Sequence, residues 1–409
     1  MKQVAKTFVY QAKDRTGQLL TGTILADSES AVAAYVRNKG CFVTQIKQEK
    51  EAFSLITIRN KLTRIKTNDL AVFCRQFATM VDAGLSLLNC LNILIEQTYN
   101  PTLKTALSQV YKKVQEGNTL SSALSDHPKV FPSLMVSMVE AGELGGVLDD
   151  VLNRLAIHFE KEHKMNEKVK SAMTYPIVVI CMALTIVIFM LTFVLPTFTQ
   201  MFTSMNAQLP VPTRMLLAVS DFLKEYWAAL LVVTIAKVYI LAMLARRPQA
   251  KIIIDRIILN APVFGMLLRK VAIARFSRTL GTLIRGGVPI ISAIEVVKNT
   301  TTNSGMINAL SSAQASIREG AGLSAPLGSS SIFTAMVVQM IAVGEETGEL
   351  DKMLDKIADF YESDVDDVVG RLSSLLEPIL IGVLGVIIGT IIIAIVLPMF
   401  DAVTSIGNM

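Results

Sequence analysis

The chain has 409 residues, of which 52% are hydrophobic and 18% charged, and its mean hydropathy is +0.49. That is more apolar and less charged than a soluble domain, which argues against an ordinary cytosolic enzyme. A net charge of +5 is too mild to imply nucleic-acid binding, and Cys41, Cys74, Cys90 and Cys181 form no C-x-x-C pair, so neither a disulfide framework nor a zinc site is indicated.

Residues 1–49 read as a small α+β domain. KTFVYQA, a turn at Asp14 to Gly17, LLTGTILA, a helix from about Ser28 to Asn38, then CFVTQIKQ give the order strand, strand, helix, strand, with Asp27 or Ser28 as the helix N-cap. Met1 to Gln18 already carries Lys2, Lys6, Lys13, Asp14 and Arg15, so no cleavable secretion signal is expected there. Residues 50–67 form a basic linker in which Arg59, Lys61, Arg64 and Lys66 alternate with apolar side chains. It reads either as a plain connector or as a segment lying along a membrane surface.

A cytoplasmic helical bundle is expected over 68–171 and a second over 246–377, because the chain repeats itself. At an offset of 202, Gly142 to Glu160 overlays Gly344 to Glu362 with eight of 19 positions identical, and the same offset pairs Pro176 with Pro378 and Pro196 with Pro398. An offset of 203 pairs Phe73 with Phe276, Arg75 with Arg278, Thr79 with Thr282 and Gly84 with Gly287. Apolar residues recur at helical spacing, as in Leu70, Phe73, Phe77 and Val81, and the breaks at Ala83-Gly84, Asn100-Pro101, Gly117-Asn118, His127-Pro128 and Gly142 to Gly146 give about six helices per copy. The last helix of each copy is expected to continue toward a membrane span. The fold class is therefore mainly α and polytopic.

Three transmembrane helices are expected, at 172–195, 227–245 and 378–400. The first lies in a stretch with no charge between Lys170 and Arg214, the third carries none, and the second contains Lys237. Lys161, Lys164, Lys168 and Lys170 precede the first span and Arg246, Arg247, Lys251 and Arg256 follow the second, whereas the connection at 196–226 has only Arg214 and Lys224. By the positive-inside rule the connection and the tail at 401–409 face outward and the N-terminus faces the cytoplasm.

No Gly is followed by Lys, so there is no Walker A loop, and neither H-E-x-x-H nor G-x-S-x-G occurs. No catalytic residue, cofactor or metal is expected. The sharpest candidate site is the duplicated G-E-x-x-G-x-L-D. Gly142 and Gly146, like Gly344 and Gly348, would stop one helix and permit a reversal, with Asp149 and Asp351 in the first turn of the next helix, where the positive helix end favours an acid. Glu143 and Glu345 have no necessary part in such a turn and are expected to project from it toward a basic partner, a cation or another subunit; a purely structural turn is the alternative. Lys237 is read as snorkelling or as pairing with a neighbour's acid. Glu377 is either an interfacial anchor or a contact to a basic partner, and Pro176 and Pro378 mark where a helix bends or breaks on entering the membrane.

AMTYP (Ala172 to Pro176), LPTF (Leu195 to Phe198), ARFSRTLGTLIRGGVP (Ala274 to Pro289), GEETGELDKML (Gly344 to Leu354), LLEP (Leu375 to Pro378) and LPMF (Leu397 to Phe400) resemble the inner-membrane platform proteins of type IV pilus and type II secretion machines, the PilC/GspF family. NAPVFG (Asn260 to Gly265), VAIARF (Val271 to Phe276) and YESDVDDVV (Tyr361 to Val369) look more like the pilus branch. The resemblance implies a non-enzymatic scaffold in the bacterial inner membrane. Its partners would be a cytoplasmic hexameric ATPase, pilins or pseudopilins, other inner-membrane assembly proteins and further copies of itself. The rival from another class is a membrane transporter with an internal repeat, but such proteins usually duplicate the membrane part, whereas here the soluble part is duplicated.

Overall fold

The computed structural model describes residues 6–13, 19–26, 29–38, 42–48, 65–198, 210–244 and 264–407. The expected turn at Asp14 to Gly17, the caps at Asp27 and Ser28, most of the basic linker, part of the connection after the first span and the basic stretch from Arg246 to Arg256 lie outside these residues.

Near the N-terminus, strands β1 (Lys6–Lys13), β2 (Leu19–Ala26) and β3 (Phe42–Gln48) form an antiparallel sheet in the order β2-β1-β3, with a register shift between Gln11 and Ala12 where β1 meets β3. Helix α1 (Glu29–Asn38) packs on this sheet, burying Val32 and Val36, as Ala12 is buried on β1.

The remainder is helical. The first repeat consists of α2 (Thr67–Asp82), α3 (Leu87–Gln97), α4 (Pro101–Gln115), α5 (Leu120–Ser125), α6 (Ser133–Gly145) and α7, which starts at Leu148. The second consists of α9 (Phe264–Arg285), α10 (Ile290–Thr300), α11 (Ser304–Arg318), α12 (Ser324–Gly328), α13 (Ala335–Thr347) and α14 (Leu350–Gly407). Short polar side chains start several of them. Ser86 accepts from the amide of Asn89 ahead of α3, Thr119 from Ser122 ahead of α5, and Asn303 from Met306 ahead of α11. One continuous apolar core runs through both repeats, from Leu70 and Phe77 to Phe276, Leu354 and Leu372.

Helix α7 runs as α-helix over Leu148–Phe189, makes a π-helical turn over Met190–Val194 and continues helically to Phe198; α14 is unbroken for 58 residues. Both are long and apolar enough to cross a membrane, and in their most apolar windows only 6% and 11% of residues are buried. Of the bend or break expected at Pro176 and Pro378, the break is corrected: both prolines sit inside continuous helix. Each forfeits one amide donor, but turns on both sides hold the helix, and neighbouring hydroxyls bond back to the backbone, Thr174 to the Lys170 carbonyl and Ser374 to that of Gly370.

Between the repeats lies α8 (Val211–Leu244), with Lys237 exposed on it. Its first half meets the far ends of the two long helices. There the Ser220 hydroxyl donates to the Leu191 carbonyl at 2.6 Å and that of Thr213 to the Ala394 carbonyl at 2.7 Å, beside a small cluster of Leu191, Leu195 and Ile391. The freed carbonyl at Leu191 lies in the π-helical turn, so the irregular backbone is satisfied by a neighbouring helix.

Candidate functional site: the Gly-Glu turns and the arginine clamps

The duplicated motif closes α6 and α13. Gly146 and Gly348 adopt left-handed backbone with φ of 68° and 73°, which ends each helix and lets the next begin two residues later. Gly142 and Gly344 do something different from the expected helix stop. They lie within the helices and are buried, because the following helix crosses there. A Cβ on Gly142 would stand 3.0 Å from a Val151 methyl, and one on Gly344 2.9 Å from the Leu350 Cα. Asp149 and Asp351 occupy the first turns of α7 and α14; Asp149 is exposed, while Asp351 accepts from the Arg285 Nε at 3.2 Å. Thr347, where the first copy has Gly145, bonds back to the Val343 carbonyl.

The expectation that Glu143 and Glu345 project from the turn is overturned. Glu143 reaches across to α5, where Oε1 accepts from the Leu120 amide at 2.5 Å and Oε2 from the Ser121 amide at 3.0 Å and the Ser121 hydroxyl at 2.5 Å. Glu345 repeats this on α12, accepting from the amides of Leu323 and Ser324. The first amides of a helix have no partner within it and carry the positive end of its dipole, so a carboxylate from another helix satisfies both demands. The reach spans 23 residues of sequence in the first repeat, which is why turn chemistry alone does not reveal it.

A second duplicated device joins the first and last helix of each bundle. Arg75 grips Glu160 in bidentate fashion at 2.7 and 2.8 Å and donates to Asn153 at 2.7 Å. Arg278 donates to Glu362 at 2.8 Å, Asp355 at 3.1 Å and Asp359. The pairs Arg75/Arg278 and Glu160/Glu362 are both identities of the internal repeat, and that joint retention was the signal in the sequence for their contact. The two clamps differ in burial: the Arg75 side chain is 42% exposed and that of Arg278 only 11%. The Arg75 guanidinium holds the Glu160 carboxyl below its usual range.

The second clamp also receives the first repeat. Lys161 reaches Asp359 at 2.8 Å and Glu362 at 3.7 Å, and Lys168 pairs with Asp366. His158 lies buried beside Thr282 at 3.4 Å. Burial against Asp359 is outweighed by its bonds to Lys161 and Arg278, leaving that carboxyl below its ordinary range. Between the repeats a cavity of about 410 Å³ is lined by His158, Phe159, Glu162, Met165 and Arg275, among others, and burial pushes the Glu162 carboxyl up despite the nearby Arg275.

Residues 73–196 and again 276–398 match the family described as type II secretion system protein F, and residues 5–47 match its N-terminal domain. The chain belongs to the type II secretion system protein F family. It is 41% identical over 405 residues to the type IV pilus assembly protein PilC of Myxococcus xanthus, covering 99% of this chain and 97% of the relative. It is also 41% identical to PilC of Thermus thermophilus, over 90% of this chain and 91% of that one. The type II secretion system protein F of Vibrio cholerae is 36% identical over 85% of this chain and 86% of its own length. Each copy of the family match starts two residues before the clamp arginine and runs into a long apolar helix.

Proposed function

We propose that the chain is an inner-membrane platform protein of type IV pilus assembly, coupling a cytoplasmic hexameric ATPase to the extraction of pilins and their addition to a filament. The observation that carries this reading is the near full-length likeness to PilC proteins at 41% identity, in a chain whose two helical bundles each run without interruption into an exposed apolar helix. A displacement of either bundle would be carried along a stiff helix into the bilayer, which is what a coupling scaffold requires and what an enzyme does not. With no nucleotide motif of its own, the chain would draw its energy from the ATPase.

In this reading α8 supplies the second of three spans, with Lys237 snorkelling toward the cytoplasmic surface, Glu377 anchoring the span at 378–400 at that surface, the N-terminal sheet and helix forming a separate cytoplasmic domain, and the C-terminus in the periplasm. The test is a clean, complemented deletion. Loss of surface filaments with pilin still synthesised is expected; normal filaments with lost protein export would instead favour the secretion platform to which the Vibrio cholerae relative's name points.

A further inference from the structure

The contact between the two repeats is one-sided, and its unused halves fit each other. In the chain, α6 and α7 of the first repeat cover α9 of the second and the turn after it: His158 meets Thr282, Asn166 accepts from Arg275, and the Met138 methyl lies 3.0 Å from where a Cβ on Gly286 would stand. The repeat offsets convert these pairs into Phe360 with Thr79, Val368 with Val72, and Met340 with Ala83. Those counterparts are not joined. His158 is 5% exposed but Phe360 is 52%; Thr282 is 9% exposed but Thr79 is open to solvent.

The hollows correspond as well. Val271, Arg275, Arg278, Thr279 and Glu362 line the cavity between the repeats, and their equivalents Asn68, Val72, Arg75, Gln76 and Glu160 line a depression on the first repeat that no helix of the second repeat roofs among the described residues. We propose that this depression is covered by the second repeat of another copy of the chain, with Phe360 seated over Thr79 as His158 is seated over Thr282.

Three observations favour a second copy over an unrelated protein. The internal interface already demonstrates that this pair of homologous surfaces packs. Charges suit the contact: Lys164 stands at the position equivalent to Asp366, and Asp367 lies one turn before the position equivalent to Lys168, so the polarity of the internal Lys168–Asp366 pair is reversed but preserved as a pair. Helices α7 and α14 also pack in parallel, since Lys161–Asp359 and Lys168–Asp366 have the same separation of 198. Repeating that operation keeps every long apolar helix pointing the same way, as one bilayer demands. The contact is head-to-tail, so it extends from copy to copy or closes into a ring. It does not depend on which machine the platform serves.

The test uses the full-length protein in membranes, with Cys41 and Cys181 replaced by Ser. Two differently tagged forms, Thr79→Cys and Phe360→Cys, are co-expressed and treated with a short bismaleimide. A cross-link carrying both tags is expected, at least tenfold stronger than either form gives alone. No mixed product, or a Phe360→Cys product with itself only, would overturn the proposal. A second variant, Phe360→Asp, changes an exposed position and is expected to keep its thermal stability while self-association in detergent weakens about tenfold. Unchanged self-association, with or without loss of some other co-purifying protein, would equally overturn it.

Discussion

Glu143 holds Ser121 twice, accepting one hydrogen bond from its backbone amide and a second from its hydroxyl. In the second repeat Glu345 accepts from the amides of Leu323 and Ser324 but takes no bond from the Ser324 hydroxyl. Exchange of Glu143 for Gln keeps the size but turns an NH2 group toward amide donors, so a loss of stability of about 1–3 kcal/mol is expected, in line with removing a charged hydrogen-bond acceptor. Ser121→Ala should cost about 1 kcal/mol and Ser324→Ala close to nothing by the same measure. The temperature at which buried Cys74 and Cys90 become open to alkylation in membranes reports each change. Burial drives the Cys74 thiol far above its normal range, so with Cys41 and the exposed Cys181 replaced by Ser the folded protein gives a low background. An unaltered Glu143→Gln transition would show that the carboxylate carries no capping energy.

The two arginine clamps are homologous but should not weigh the same. Arg278→Met leaves Asp355, Asp359 and Glu362 gathered without their common cation in a site where the arginine is 11% exposed. A cost on the order of 3 kcal/mol follows. Arg75→Met removes a pair that is half in water, 42% and 45% exposed, worth within about 1 kcal/mol. Equal effects in the same alkylation assay would contradict the burial argument.

Much of this architecture is legible in the sequence because it is periodic and doubled. The helix ends at Gly84, Gly117, Gly146 and Gly348, all with positive φ, fall where the break chemistry places them. What escapes a reading by local chemistry is long-range pairing. Glu143 looks dispensable to its turn because its partners lie more than 20 residues upstream, and Gly142 looks like a helix stop because a close helix crossing demands glycine just as a turn does. Pro176 and Pro378 look like breaks because the local cost of proline is read without the many flanking turns that outweigh it.

Acid should weaken the joint between the repeats through His158. Burial, reinforced by the Arg278 charge, pulls this imidazole down to about 4, whereas in an unfolded chain it titrates near 6.5. Below about 6.5 the unfolded chain takes up a proton that the folded one refuses until about 4, so stability is complete above this window and lost as pH falls through it. Glu160 and Asp359, also held low, contribute acid loss of their own in any variant. His158→Phe, which places the residue found at 360, removes only the histidine component, and the Thr282 hydroxyl keeps its bond to the Arg278 carbonyl. The wild-type and variant transition temperatures should therefore converge or cross as pH is lowered from 7 toward 4; a constant difference across that range would assign His158 no titration.

The motif glycines supply the last expectation. A Cβ at Gly142 meets chiefly the Val151 side chain, 3.0 Å from one methyl, and a rotamer change can open that space. At Gly344 it meets the Leu350 Cα at 2.9 Å, and backbone can yield only if α13 and α14 separate. Overpacking of this kind costs about 1–3 kcal/mol, so Gly344→Ala should lie at the upper end and Gly142→Ala at the lower. Both differ from Gly146→Ala, where nothing stands within 4 Å but φ is 68°, so the cost is that of left-handed backbone, about 1 kcal/mol. Val151→Ala separates the two mechanisms. Combined with Gly142→Ala it clears the methyl and should cost less than the sum of the single changes, whereas combined with Gly146→Ala the costs should add. Additivity in both pairs would mean that the crossing at Gly142 is not the reason for the glycine.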